Sequence, residues 1–426
     1  MTRRVADSDP GRPWLVAVAV VAALAGLAQL RLTLPQAVSP QQVFVPGACF
    51  ALAALGPLAA LRRVGYRGVE AYAAAMALAA VGLVTAMRLD AAEGASRGSI
   101  RHGGLLLLGA AAFTTCAVLP SLDWLRRYKY TWLAATLLLM GLTAVAGQEV
   151  NGARLWLVVG PLRFQPSELA KVTLVVFLAA YTADRAAMLS AGWKVGGVRL
   201  PPLPYLVPVG LAVAAALAIL LVQNDLGSAL LLFGTATVVL WLATGDGFAT
   251  LVGGAAFAAA VVLAARFVPR VAVRAQNWLD PWAWPQSAGY QQVQADYALA
   301  SGGVLGSGLG RGAPGLVPFV RTDYVLAGIG EEWGLLGSIA VVLLLAALTV
   351  VGLRVSARCP DRFLRVLAAG LTVSVALQAL IIVGGVVRLI PLTGLPLPFV
   401  SAGGSSLMIN LAVVGLLVRI AREPGP

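Results

Sequence analysis

The sequence predicts an all-α polytopic membrane protein of about 12 transmembrane helices, and three observations predict it. Hydrophobic residues make up 59% of the 426 positions and charged residues only 12%, against about 25% charged in an average soluble domain. Mean hydropathy is +0.86. Apolar runs near bilayer length recur along the whole chain. Together these exclude disordered, collagen-like and ordinary water-soluble classes. They leave a single helical bundle as the expected unit, with no soluble domain of useful size.

The runs lie near 14–30, 43–61, 71–87, 104–120, 131–147, 168–183, 204–222, 228–244, 249–268, 335–353, 366–386 and 404–418. Each is expected to be helical, because hydrocarbon offers the backbone no outside hydrogen-bond partner. The first run is not an obvious cleaved signal, since no small-residue cleavage site follows it. The three cysteines, Cys49, Cys116 and Cys359, fall in or beside apolar runs and show neither a pairing pattern nor metal spacing.

Charge orients the bundle. The net charge is +13. In a soluble chain that would suggest nucleic acid, but here the basic residues sit in loops between apolar runs, so no nucleic-acid partner is expected. One alternating set of loops holds 18 basic residues, including Arg3, Arg4, Arg62, Arg126, Arg358 and Arg419, and the other holds 12. The richer set is expected in the cytoplasm, with both termini. The outer loops then fall at roughly 31–42, 88–103, 148–167, 223–227, 267–334 and 387–403. The lone histidine, His102, is expected on the surface in one of them.

The unusual sequence clusters in those outer loops. The first segment is Asn151-Gly152-Ala153-Arg154, continuing through Arg163, Gln165, Pro166, Ser167, Glu168 and Lys171. Pro166 and Glu168 suit a helix start, and Glu168 and Lys171, three apart, share a face. A lysine one turn into a span needs compensation. A local pair with Glu168 would supply it, and so would an anionic headgroup held by Arg154, Arg163 and Lys171, arginine being suited to phosphate by its planar fork.

The second segment, Gln223-Asn224-Asp225, is a tight turn whose aspartate could cap the next helix. The third, 276–334, carries Asp280-Pro281, Trp284-Pro285, many glycines, Asp323 and Glu331-Glu332. It should form short or re-entrant helices; its glycines permit amide nests for anions, and its glutamate pair suits a helix start. The fourth, Pro391 to Ser406, interrupts an apolar stretch with prolines and glycines and reads as a broken helix lining a cavity. No P-loop, His/Cys cluster or nucleophile elbow appears, which argues against an ATP-driven pump and Ser-His hydrolysis.

At these segments the chain resembles the SEDS family (shape, elongation, division and sporulation), which includes FtsW, RodA and SpoVE. The matching strings are Gly152-Ala-Arg-Leu-Trp156, Gln165-Pro-Ser-Glu-Leu-Ala-Lys171, Asp225-Leu-Gly227, Gly289-Tyr-Gln291, Thr322-Asp323, Gly330-Glu-Glu332 and Pro391 to Ser401 with Gly403-Gly-Ser405. The resemblance implies a ten-helix core plus two N-terminal helices. It implies a peptidoglycan glycosyltransferase of the bacterial inner membrane that polymerises lipid II, an undecaprenyl-diphosphate-linked glycan, on the outer face beside a class B penicillin-binding protein, in elongation, division or sporulation.

In that reading 1–150 holds N-terminal helices, 151–420 the catalytic core with the outer loop 267–334, and 421–426 a cytoplasmic tail. Arg154, Arg163, Gln165, Ser167, Glu168, Lys171, Asp323, Ser401 and Ser405 would bind substrate among membrane lipids. The family's essential aspartate falls at Trp284, so Asp280, also followed by proline, is the carboxylate expected to serve as general base; otherwise the chain lacks that base. No closed metal site or certain cofactor is expected, although Mg or Mn could assist. A lipid II transporter and a non-catalytic scaffold for the penicillin-binding protein are the alternatives.

Overall fold

The computed structural model describes residues 12–95, 97–150, 153–159, 162–186, 188, 193–195, 198–200, 203–245, 247–267 and 269–423. Arg3, Arg4, Asn151, Gly152, Gly160 and Pro161 lie outside the described residues.

All twelve expected runs fall on helices. In chain order these are α1 (Trp14–Thr33), α2 (Pro40–Val64), α3 (Val69–Glu93), α4 (Gly98–Ala117), a short α5 (Asp123–Arg127), α6 (Lys129–Ala146), α7 (Pro166–Asp184), α8 (Leu203–Val222), α9 (Leu226–Thr244) and α10 (Gly247–Phe267). They continue with α11 (Pro269–Leu279), α12 (Tyr290–Gly302), α13 (Val325–Arg358), α14 (Arg362–Val386) and α15 (Gly404–Ile420). Among the described residues, nine helices are long and apolar enough to cross a membrane, and α15 is a shorter apolar helix. The protein is a multi-pass membrane protein.

Local chemistry sets the helix starts. Ser39 and Gln42 form a capping box under α2, with Pro40 at the first position. The Asp225 carboxylate accepts from Ser228 N at 2.9 Å and caps α9; Asp361 accepts from Leu364 N at 2.8 Å and caps α14. The most apolar window of α3 and that of α14 are each 72% buried, against 17% for α6, so α3 and α14 form the middle of the bundle. α3 packs on α1, α4 and α13, and α14 on α7, α9 and α13.

Three expectations are corrected. The outer loop expected at 88–103 shrinks to the few residues between Glu93 and Gly98, because α3 and α4 both extend past their apolar runs. His102 is therefore not at the surface: it lies inside α4, only 3% exposed. The chain is also not purely helical. Strands β1 (Gln148–Val150), β2 (Ala153–Val159) and β3 (Leu162–Phe164) form an antiparallel sheet in that order. A hairpin of β4 (Trp193–Val195) and β5 (Val198–Leu200) precedes α8. The first sheet had a signal in the sequence, since Leu155–Val159 is an aromatic and β-branched run after an Asn-Gly pair.

The 267–334 segment forms short helices, as expected. Its last part runs into α13, which breaks at Gly334 (φ 68°, ψ −168°). A side chain there would place Cβ 2.3 Å from Gly306 N, so only glycine lets the two backbones touch.

Candidate functional site

Four distant segments converge. Gly227, at the start of α9, lies so close to the 390–406 segment that a Cβ on it would be 2.8 Å from Thr393 O. Arg274, on α11, donates to the same Thr393 carbonyl at 3.3 Å. Ala402 N donates to Arg321 O at 2.8 Å, and Ser401 Oγ donates to Thr322 O at 2.6 Å. Gln378 Nε2 on α14 donates to Pro396 O at 2.8 Å.

Between these segments lies a cavity of about 130 Å³, open on one side. Its lining includes Arg274, Asn277 and Trp278 from α11, Gln291 and Gln292 from α12, Asp323 and Tyr324, and Leu392 and Gly394. Among the described residues Asp323 is its one carboxylate. Gly394 has φ 77°, and a Cβ there would lie 3.6 Å from Asp323 Oδ2 and 3.9 Å from Arg274 Nη2, so both charged groups meet at that backbone. Burial pushes the Asp323 carboxyl up to about 6, against the opposing pull of the Thr322 hydroxyl and Arg274. Behind the wall, Tyr324 donates to Gln292 Oε1 at 3.2 Å, and Trp278 Nε1 to Arg388 O at 3.0 Å.

A second polar centre is closed. The Lys171 ammonium lies 2.7 Å from Glu168 Oε2, an ion pair by distance whose angles fall outside a hydrogen bond. It donates to Gln378 Oε1 at 2.7 Å and Asn410 Oδ1 at 3.0 Å. Asn410 in turn donates to Ser406 Oγ at 3.1 Å. Lys171 is 2% exposed, so the local pair with Glu168 is formed within a larger network.

The remaining expected residues fall in two groups. Gln165, Ser167 and Ser405 are buried; Ser167 Oγ accepts from Ser228 Oγ at 3.4 Å, and among the described residues Ser405 Oγ has no hydrogen-bond partner, as is true of Asp225 Oδ2 and Thr393 Oγ1. Arg154 and Arg163 stand exposed on β2 and β3, off the cavity lining, with Arg154 3.5 Å from Glu149. Asp280 is also exposed and off that lining. Its Oδ1 accepts from Trp282 N and Ala283 N at 3.1 and 3.2 Å, capping a short 3₁₀ turn. Trp284 is 63% exposed.

The glycine-rich loop does form an amide cradle, and the protein's own carboxylates fill it. Glu332 accepts from Gly310 N and Gly312 N, each at 3.2 Å, and Glu331 from Ala313 N at 2.7 Å. Arg88 of α3 neutralises Glu332 at 2.6 Å, buried on both sides. The glutamate pair therefore does not start a helix as its sequence suggested: it lies well inside α13, just before the break at Gly334, with its carboxylates engaged by the loop amides.

Sequence reasoning missed Arg274. Its signal was the helical spacing of Val271, Arg274, Ala275 and Trp278, which puts an arginine on the apolar stripe of α11. Among the described residues no three His, Cys, Asp or Glu side chains could share a metal, and the cavity's one carboxylate stands beside a guanidinium.

Comparison with known proteins bears on all of this. A family model for FtsW, RodA and SpoVE, described as cell cycle protein, matches residues 70–424, beginning at α3 and leaving α1 and α2 before it. The peptidoglycan glycosyltransferase RodA of Mycobacterium tuberculosis is 38% identical over 358 residues, covering 81% of this chain and 76% of the relative. The probable peptidoglycan glycosyltransferase FtsW of Synechocystis is 37% identical over 323 residues, 75% of this chain and 78% of that one. Among solved structures, a chain of a peptidoglycan synthase complex that coordinates polymerization and crosslinking superposes with a TM-score of 0.69 at 30% identity, covering 83% of this chain and 96% of that chain. The rod shape determining protein RodA of Thermus thermophilus gives a TM-score of 0.59 at 29% identity, with the same two coverages.

Proposed function

Since this chain belongs to the FtsW/RodA/SpoVE cell cycle protein family, we propose that it is a peptidoglycan glycosyltransferase that polymerises lipid II into glycan strands. The observation that carries the reading to a site is the cavity where α11, α12, the 321–324 turn and the 390–406 segment meet, with an arginine and one carboxylate in its wall.

The chemistry needs two things from the protein. A hydroxyl of the acceptor sugar attacks the anomeric carbon of the donor, so its proton must go to a positioned base, a task worth about 10²–10⁴-fold. The donor's polyprenyl diphosphate leaves with the bonding electrons, so cations must meet the departing charge. Loop carboxylates, Asp280 or Asp323, supply the base. Arg154 and Arg163 on the exposed sheet reach toward the diphosphate of a lipid lying beside the bundle. Gln165, Ser167, Glu168 and Lys171 stand at the start of α7, and Ser401 holds the broken segment with Ser405 buried beside it, so that both frame the substrate. No step is routed through a metal ion.

The ten helices α3, α4, α6–α10 and α13–α15 form the core, with 151–420 as its catalytic part, α1 and α2 as additions and 421–426 as a tail. The excess of basic residues in alternate loops sets both termini in the cytoplasm and the cavity on the outer face of the bacterial inner membrane. The partner that fits is a class B penicillin-binding protein that crosslinks the strands made here.

The test is polymerisation of purified lipid II by the purified full chain, alone and with its transpeptidase. Glycan strands are expected, and their absence under both conditions overturns the reading. The scaffold reading is favoured by the exposed Trp284; partner binding without any polymerisation would establish it.

A further inference from the structure

We propose that Asp323, and not Asp280, is the carboxylate that takes the proton from the acceptor hydroxyl. The inference rests on the glycosyltransferase reading above and identifies its base. Asp280 spends Oδ1 on two amides of its own turn and is exposed, away from the cavity lining. Asp323 is the cavity's one carboxylate. At about 130 Å³ the cavity is far smaller than the ~300–1,000 Å³ of pockets that enclose a whole drug-sized ligand. It therefore admits one polar edge of a large substrate, and a hydroxyl-bearing sugar edge finds an indole, amides, a guanidinium and a carboxylate there (Trp278, Asn277, Gln291, Arg274 and Asp323).

The backbone under Asp323 is over-determined, as a positioned base requires. Phe319 O, at a residue with φ 55°, accepts from Thr322 N, Asp323 N and Tyr324 N at 3.0, 3.0 and 3.2 Å. On one side Arg321 is anchored to α3 through Asp90 at 2.9 Å and Glu93 at 3.0 Å. On the other, Ser401 Oγ holds Thr322 O. The turn cannot drift without breaking ties to two other elements.

The step balances without a co-reactant. The acceptor oxygen forms a bond to the donor's anomeric carbon, the bond from that carbon to the diphosphate oxygen breaks, and the hydroxyl proton passes to an Asp323 oxygen and later to solvent. A base whose carboxyl is raised by burial is charged above about pH 6 and loses function below it. Arg274 on α11 and the Tyr324 phenol face it directly; Asp225 at the start of α9 acts on Arg274, Asp296, paired with Arg388, acts on Tyr324, and Arg321 is engaged by Asp90 and Glu93.

The experiment is lipid II polymerisation by the full chain with Asp323→Asn, Asp323→Glu and Asp280→Asn, over pH 5 to 9. We expect Asp323→Asn to fall about 10²–10⁴-fold, far more than Asp280→Asn. Wild type should lose rate below about pH 6, with the midpoint moved in Asp323→Glu. Asp323→Asn at wild-type rate, or the large loss falling on Asp280→Asn, overturns the inference while leaving the glycosyltransferase reading intact. If Asp323→Asn does not fold, the wild-type and Asp323→Glu profiles decide, and a flat acid side in both overturns it. A wild-type chain that makes no strands overturns the functional reading itself.

Discussion

At Lys171 a cation sits 2.7 Å from Glu168 and is hydrogen-bonded to Gln378 and Asn410, sealed among helices. At Arg274 a cation shares an open cavity with Asp323, next to a backbone that only glycine occupies with ease. Both centres combine one basic and one acidic residue, and the acidic residue of each, Glu168 and Asp323, lies on a segment that looked unusual in the sequence. They differ in what surrounds the charge. The first has its polar neighbours turned inward on one another through Asn410 and Ser406. The second keeps a carboxylate in the wall of an open cavity. Charge therefore separates into a closed tie and a cavity wall by whether it faces open space, not by its residue types.

That contrast breaks most visibly at Lys171. Replacing it with methionine leaves Glu168 buried without its cation, and losing one partner of such a pair costs about 3–5 kcal/mol. Thermal unfolding of the detergent-purified chain should show a large fall in Tm for Lys171→Met, partly recovered in Lys171→Met with Glu168→Gln. Normal Tm together with abolished polymerisation would instead make Lys171 a substrate group. Arg274→Ala probes the other side. Losing a charge-assisted hydrogen bond of about 1.5–3 kcal/mol corresponds to roughly 10–100-fold in polymerisation rate. Arg274 lowers the Asp323 carboxyl, so its removal raises that value further and shifts the acid limb of the pH–rate profile upward. An unmoved limb would separate the two residues.

How much of this could be read in advance follows the range of the interaction. Apolar runs are local, so each of the twelve fell on a helix. Caps are local too, and Asp225 caps α9 as its turn suggested. The sheet at 148–164 is not legible from the apolar runs, because its strand-forming stretch Leu155–Val159 is short and flanked by Gly152, Gly160 and Pro161. The cradle at Gly310 and Gly312 was legible as an anion site, yet its occupant, Glu332, is held there by Arg88 from α3. Asp323 stands out as a candidate in the sequence, but that it shares a cavity with Arg274 needed the fold. His102 was misplaced because α4 starts before its apolar run. What composition cannot supply is which distant side chain satisfies which, and that decides whether a charge is spent.

Smaller effects sharpen the comparison. Gly394→Ala places a methyl 3.6 Å from Asp323 Oδ2 and 3.9 Å from Arg274 Nη2, ordinary van der Waals distances. Its cost therefore comes from holding a side chain at φ 77°, about 1–2 kcal/mol. A modest fall in Tm should leave most of the polymerisation rate intact; loss of the rate without loss of stability would mean that the substrate needs the space above Gly394.

The smallest stability change belongs to Arg154. Its pair with Glu149 spans 3.5 Å, with both side chains about half exposed, so Arg154→Ala should change stability by no more than about 1 kcal/mol. That makes it a clean probe of the exposed sheet. If Arg154 meets the donor diphosphate, KM for lipid II should rise while kcat holds, and the difference between variant and wild type should shrink as salt screens the contact. A KM unchanged at low salt would confine substrate recognition to the cavity wall and leave the sheet as scaffold.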